Sequence, residues 1–203
     1  MQSTSSSGLS WEVKGHLFEC LEDGSIGLPP PCPLPGENQP DIPYFILVDD
    51  AFAPKSYMMK PYSRRGMTDE QRICNYMISR GRRVVENAFG IMANRYRCLL
   101  GTLEQKVYNV RDLVETAVVL HNLLRKRVAL AANAVDHEDE EHNFAPGAWR
   151  DGPRWEDVPQ PAARGNLATV DARHQRDHLR EYFVSPVGAV DWQQRMAGVV
   201  LPD

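Results

Sequence analysis

Nothing in this chain of 203 residues approaches the run of about 20 apolar residues that a membrane-spanning helix needs. Its opening, MQSTSSSGLS, also lacks the apolar stretch of a secretory signal. A soluble, intracellular protein is the expectation. Paired cysteines are missing too. Cys20, Cys32, Cys74 and Cys98 stand singly, with no CxxC. That argues against a zinc knuckle or a disulfide framework and for buried or free thiols in a reducing compartment. Of the six histidines, His137 and His142 fall in an acidic tract, where metal binding is not expected. Internal repeats are absent.

What is present is enough for a core but not for a chain that is all core. Hydrophobic residues make up 42% of the sequence, set against 15 prolines and a mean hydropathy of −0.44, so part of the chain is expected to lie outside the packed domain. The net charge of −4 conceals an asymmetry. From Lys55 to Arg97 ten basic residues face three acidic ones, a local balance of +7, whereas DHEDEEH at 136–142 has five acids and no Lys or Arg. A basic block inside an acidic protein points to a local surface for a polyanion. The competing reading is a solvated helix face.

Along the chain, residues 1–10 are low-complexity Ser/Thr and are expected to be disordered. In SWEVKGHLFECLEDG, Trp11, Leu17, Phe18 and Leu21 recur at helical spacing, with Ser10 as N-cap and Gly24 past the end. The Pro-rich LPPPCPLPGENQPDIP can form only an extended connector, since proline removes backbone donors. YFILVDDAF reads as a strand, apolar without alternation from Tyr44 to Val48 and so expected to be buried on both faces. Thr68 and Gln71 match a capping box. The helix after it carries an apolar stripe of Ile73, Met77, Val84, Ala88, Ile91 and Met92, with a kink or break expected near Gly81. A second helix starts from Asn109 as N-cap and turns Leu113, Val114, Ala117, Val118, Leu120, His121 and Leu124 inward. His121 there reads as a satisfied core histidine. Residues 133–168, acidic and then Gly/Pro/Arg-rich, are expected to be flexible. A helical tail over 169–203 offers Tyr182, Phe183 and Trp192 for docking back onto the domain.

Two carboxylates carry the functional argument. The strand ends at Asp49 and Asp50, and acids at the C-terminal end of a buried strand lie where α/β sheets place chemistry. Adjacent strand residues point to opposite sides, so at most one of the two faces a given site. Asp50 alone suits a turn before Pro54. Glu86 is the lone carboxylate among the arginines of RGRRVVENAFGIMANRYR. On a helix, Arg82 and Arg83 lie one turn behind it and Phe89 and Gly90 one turn ahead. Phe89 is expected to anchor the helix in the core, and Gly90 to leave room for a close approach. Glu86 is thus either an ordinary partner of its arginines or one of two carboxylates that hold a divalent metal.

The stretches YFILVDDAF, MMKPYSRRGMTDEQRICNYMISRGRRVVENAFGIMANRYRCL and VLHNLLRKR resemble the DDE nuclease domain of PIF/Harbinger transposases and their domesticated relatives, and REYFVSPVGAVDWQ resembles the tail of that family. The likeness covers most of residues 16–127 plus the tail. It implies an RNase H-like α/β fold, here a truncated one, with a partial nuclease domain over 11–132. It also implies two Asp and one Glu that bind Mg²⁺ or Mn²⁺ and act in phosphodiester hydrolysis on DNA. By position, Asp49 matches the second family Asp and Glu86 the family Glu, as catalytic and metal-binding residues. Lys60, Arg64, Arg65, Arg82 and Arg83 become candidate DNA contacts. The first family Asp belongs to an earlier strand, upstream of anything in this sequence, so the chain is expected to be a C-terminal portion that is inert by itself. Asp23 is not its substitute. Val48 stands where the family has glycine, and Gly81 where it has alanine. A Myb-like DNA-binding partner and a nuclear location are further implications. The competing readings are a non-catalytic DNA- or protein-binding remnant and an unrelated α/β domain with fortuitous carboxylates.

Overall fold

Thr68 opens the longest element of the protein. Its side chain accepts from the Gln71 backbone at 3.3 Å, while the Gln71 side chain accepts from the Thr68 backbone at 3.1 Å, so two orphan amides are satisfied reciprocally. The computed structural model describes residues 16–49, 52–131, 133–153 and 169–199. The chain order is α1 (His16–Glu22), β1 (Ile46–Leu47), β2 (Met58–Met59), α2 (Asp69–Arg95), a 3-10 turn (Arg97–Leu100), α3 (Val107–Arg127), β3 (His137–Glu138), β4 (Phe144–Ala145), a second 3-10 turn (Ala148–Asp151), α4 (Val170–Val184) and α5 (Gln193–Met196). This is a mixed architecture of helices and small sheets, compatible with an α/β nuclease-like domain. No helix among the described residues is long and apolar enough to cross a membrane.

Helix α2 runs unbroken through Gly81, contrary to the expected kink. The missing side chain serves packing instead: a β-carbon at Gly81 would fall 2.6 Å from Leu47 Cδ1 of β1. The buried face of α2 is Ile73, Cys74, Ile78, Asn87, Gly90, Met92 and Ala93. Val84, assigned to the stripe from its spacing, is 73% exposed.

Strand β1 pairs in parallel with β2, Ile46 opposite Met58. It is shorter than its apolar run and is not buried on both faces. Phe45 and Leu47 pack against the core, whereas Tyr44 and Ile46 are exposed. The alternation follows from the pleat: one face meets α2 and α4, and no described element covers the other. Below it lies the core of Met59, Tyr62, Cys74, Ile78 and Leu179, joined by Leu34 and Phe183. Burial, the largest influence and one that outweighs the nearby Arg176 and Arg180, raises the Cys74 thiol to about 12.

The C-terminal helix α4, capped by Thr169, completes that core and ties down the Pro-rich connector. Tyr62 Oη donates to Asp177 Oδ1 at 2.6 Å. Gln175 Nε2 donates to the Pro43 carbonyl at 3.1 Å and Tyr182 Oη to the Pro35 carbonyl at 3.0 Å. Trp192 meets Tyr76 edge-on with ring centroids 6.0 Å apart. The three aromatics expected to dock the tail all have partners on the domain or its connector.

Helix α3 begins at Val107 with Lys106 at its N-cap, three residues before the cap expected at Asn109, and no side chain caps it. Only Ala117 and His121 are buried, while Val114, Val118 and Leu120 remain exposed. The expected inward face is therefore only partly inward, because α3 packs on α2 and on nothing else of comparable extent. His121 also departs from expectation, since its Nδ1 is buried without a hydrogen-bond partner among the described residues. Burial, with Arg95 and Arg125 nearby, lowers its pKa.

Candidate functional site

Asp49 lies two residues past the end of β1 and is exposed. The Phe52 backbone returns to the Asp49 carbonyl at 3.4 Å. Asp50 lies outside the described residues, so its expected orientation has no counterpart here. Glu86 is exposed on α2, with Arg82 Nη2 3.7 Å from its Oε1. The elements that carry these two acids meet where Leu47 enters the gap at Gly81. Asp49 lies two residues beyond that contact on one element and Glu86 five residues beyond it on the other. In chain distance these are about 7 Å of strand and about 7.5 Å of helix.

Of the basic candidates, Arg64 and Arg65 are exposed in the loop between β2 and α2, just before Gly66, whose φ of +68° makes the turn. Lys60 is half-buried after β2. Arg82 pairs with Glu86. Arg83 is bound elsewhere: its Nη1 donates to Glu138 Oε1 at 3.0 Å. Arg80 joins it with a two-toothed contact, Nε to Oε1 at 2.7 Å and Nη2 to Oε2 at 3.0 Å. Two guanidinium groups thus converge on one carboxylate, and chiefly the Arg80 hydrogen bonds hold Glu138 below the usual carboxylate range.

Glu138 belongs to a hairpin of β3 and β4, antiparallel with Glu138 opposite Phe144. Its root is fixed in α2 by Asn87. The Asn87 amide donates to the Asp136 carbonyl at 3.1 Å, while Oδ1 accepts from the Asp136 backbone and from Trp149 Nε1, both at 2.8 Å. The Asp136 carboxylate is wholly buried. It accepts from Gly147 N at 2.8 Å and from Arg150 Nε and Nη2 at 2.8 and 2.6 Å. Burial pushes its pKa up, but these donors together more than offset that and the net direction is down. Arg150 is shifted the other way, mainly by Asp136 and further by the Glu86 carboxylate.

Gly90 completes the seat, because a β-carbon there would overlap the Trp149 ring. The room expected beside Glu86 exists, and a tryptophan occupies it. Phe89, expected to anchor the helix, is instead 47% exposed. Helical rotation explains the exchange: once Asn87 and Gly90 face inward to the hairpin, Phe89 turns outward. Of the stretch expected to be flexible, residues 133–153 make these contacts, and 154–168 lie outside the described residues.

The residues therefore form two groups. Asp49 and Glu86 are two oxygen donors of the kind that hard divalent cations accept. Among the described residues no set of three or more His, Cys, Asp and Glu is gathered to hold a metal. The second group, Arg80, Arg83, Asn87, Asp136, Glu138, Trp149 and Arg150, was not singled out from sequence apart from Arg83. Its one sequence signal is the complementarity between the basic block and DHEDEEH.

A family model described as DDE superfamily endonuclease matches residues 34–122, somewhat less than half of the chain. The matched stretch contains Asp49, Glu86 and all five candidate DNA-contact residues. No curated protein and no solved structure matches the chain.

Proposed function

We propose that this protein carries part of a Harbinger-type DDE nuclease site with an RNase H-like fold, in which Asp49 and Glu86 are metal ligands and DNA is the substrate. The observation that carries the reading is the match to a DDE superfamily endonuclease over a stretch holding both acids and the basic loop before α2. Leu47 of β1 touches α2 at Gly81, and Glu86 lies about 140° further round that helix.

A bound Mg²⁺ or Mn²⁺ supplies charge neutralisation at the scissile phosphate and acidifies a water. Asp49, just past β1, and Glu86, on α2, would hold it. Lys60, Arg64 and Arg65 bind backbone phosphates and set the register of the duplex. Arg82, with Nη2 3.7 Å from Glu86 Oε1, adds a positive charge beside that carboxylate. Two carboxylates hold such a cation weakly, and cleavage requires the third acid of the family pattern. A Myb-like partner and a nuclear location belong to the same reading.

Mn²⁺ titration, calorimetric or paramagnetic, tests it. Wild type binds weakly; Glu86→Gln and Asp49→Asn each abolish binding, and Asp50→Asn keeps it. Equal Mn²⁺ affinity in wild type and Glu86→Gln would reduce Glu86 to a partner of Arg82. DNA nicking is expected only when a segment carrying the third acid is supplied, and robust metal-dependent nicking by this chain alone would show the triad to be misplaced. The second reading, a non-catalytic binding remnant, draws on the exposed Val84, Val85 and Phe89 of α2 and Val119 and Leu123 of α3, which suit a protein partner.

A further inference from the structure

The acidic run 136–142 behaves as two parts. Its root, Asp136, is buried and locked by Asn87, Gly147 and Arg150. Its tip is held differently. Asp139 organises the turn internally, accepting from Glu141 N at 3.0 Å and Asn143 N at 2.7 Å. Besides the stacking of His142 on Trp192, a contact from Arg195 to the Glu141 carbonyl and Arg83 lying over the Phe144 ring, what fastens the tip to α2 among the described residues is Glu138, through the Arg80–Arg83 fork.

That fork presents two guanidinium groups to two oxygens of one anion. A phosphodiester offers the same pair of oxygens to the same donors. The fork is one to two helical turns from Glu86 on α2, within the basic block, and the Arg80 side chain is 42% exposed. A duplex lying along the block to reach Glu86 meets Arg80 and Arg83 already neutralised by a carboxylate from the protein's own chain.

We propose that the β3–β4 hairpin is a tethered competitor of DNA, with Glu138 occupying the phosphate subsite formed by Arg80 and Arg83 until a duplex displaces the tip. The root stays in place, so the displaced hairpin remains attached and can return. The tip therefore lowers affinity for DNA generally by the fraction of time it covers the fork. This rests on the reading that the protein binds DNA.

The experiment measures binding of a short labelled duplex by fluorescence anisotropy, in chelator, for the full chain and three variants. Glu138→Gln is expected to bind about tenfold more tightly than wild type, the scale of a charge-assisted pair released from competition. The gain is expected to vanish in Arg80→Ala/Arg83→Ala/Glu138→Gln relative to Arg80→Ala/Arg83→Ala. No gain in Glu138→Gln overturns the proposal while leaving DNA binding intact. A gain of equal size in the arginine-free background also overturns it, as a general charge effect. Absence of duplex binding by all four proteins defeats the DNA reading itself and the proposal with it. Should Glu138→Gln fail to fold, hydrogen exchange on wild type decides. Duplex is expected to speed exchange at the Asp139 and Asn143 amides and leave Asp136 and Gly147 unchanged. Unchanged or slowed exchange at the tip in the DNA complex refutes displacement.

Discussion

Asn87 and Glu86 are neighbours in sequence, and replacing them should have very different consequences. Asn87 is buried and makes three hydrogen bonds, to the Asp136 carbonyl, the Asp136 amide and the Trp149 indole, at 3.1, 2.8 and 2.8 Å. Asn87→Ala removes all three and leaves their partners without a substitute. At about 1 kcal/mol for each bond the loss is roughly 3 kcal/mol, with the stranded groups pushing it upward and any entering water pulling it down. For a chain of this size that corresponds to a fall in Tm of about 6–12 °C. Glu86→Gln removes one exposed contact at 3.7 Å, worth about 0.3–0.5 kcal/mol at most. Urea or thermal unfolding followed by circular dichroism measures both. A cycle with Trp149→Phe then isolates the indole bond, and the two changes should be less than additive. If Asn87→Ala costs no more than Glu86→Gln, the hairpin root contributes nothing to stability and its geometry has been misjudged.

Gly90→Ala should cost about 1–3 kcal/mol, because the new methyl meets the Trp149 ring and a packed indole yields less readily than a flexible chain; unfolding curves and indole fluorescence will show it. Acid should loosen the hairpin. Asp136 and Glu138 have depressed pKa values when folded, so their stabilisation is complete above the unfolded carboxylate range near ~4 and is lost as pH falls through the folded values. Unfolding against pH from 6 to 3 should therefore flatten in Asp136→Asn/Glu138→Gln, which begins less stable but loses less. An aromatic disulfide reagent should label the exposed Cys32 and Cys98 in the native protein. Cys74, with its thiol raised to about 12 by burial, should react only after denaturation; rapid native labelling there would mean the core opens.

Local signals in the sequence were legible where a residue's partners lie within a few positions. Thr68 and Gln71 announce the start of α2. Phe45 and Leu47 were assigned to the core, but so were Tyr44 and Ile46, because an unbroken apolar run says nothing about which face has cover. Gly81 illustrates a different failure: a glycine in a helix signals a weak point or a close approach, and only the position of Leu47 distinguishes them. Asn87 was invisible as a centre. Its partners come 49 and 62 residues later, and a polar residue on a buried face looks like an interruption until they are in view. The acidic composition of DHEDEEH pointed to a solvated stretch, although its charge matched the basic block. Pairing charge with charge across 55 to 58 residues requires the fold. The two candidate acids could be named from resemblance, and the family match spans them; what the local geometry added was the company each keeps.

The clasp between α4 and the Pro-rich connector has a consequence for the order in which the chain can be made. Tyr182 reaches Pro35 across 147 residues, Gln175 reaches Pro43 across 132, and Asp177 reaches Tyr62 across 115. Leu179 and Phe183 fill the same core as Met59 and Cys74. During synthesis, the segment through about residue 100 therefore leaves the ribosome with α2 formable but its principal apolar seat open, waiting for α4 to arrive. Loop closure over such spans is slow, and until it happens the apolar strand Ile46–Leu47 and the uncovered face of α2 are available to other nascent chains. A ribosome halted before residue 170 should release a chain that needs a holding chaperone, whereas one halted past residue 184 should release one that does not.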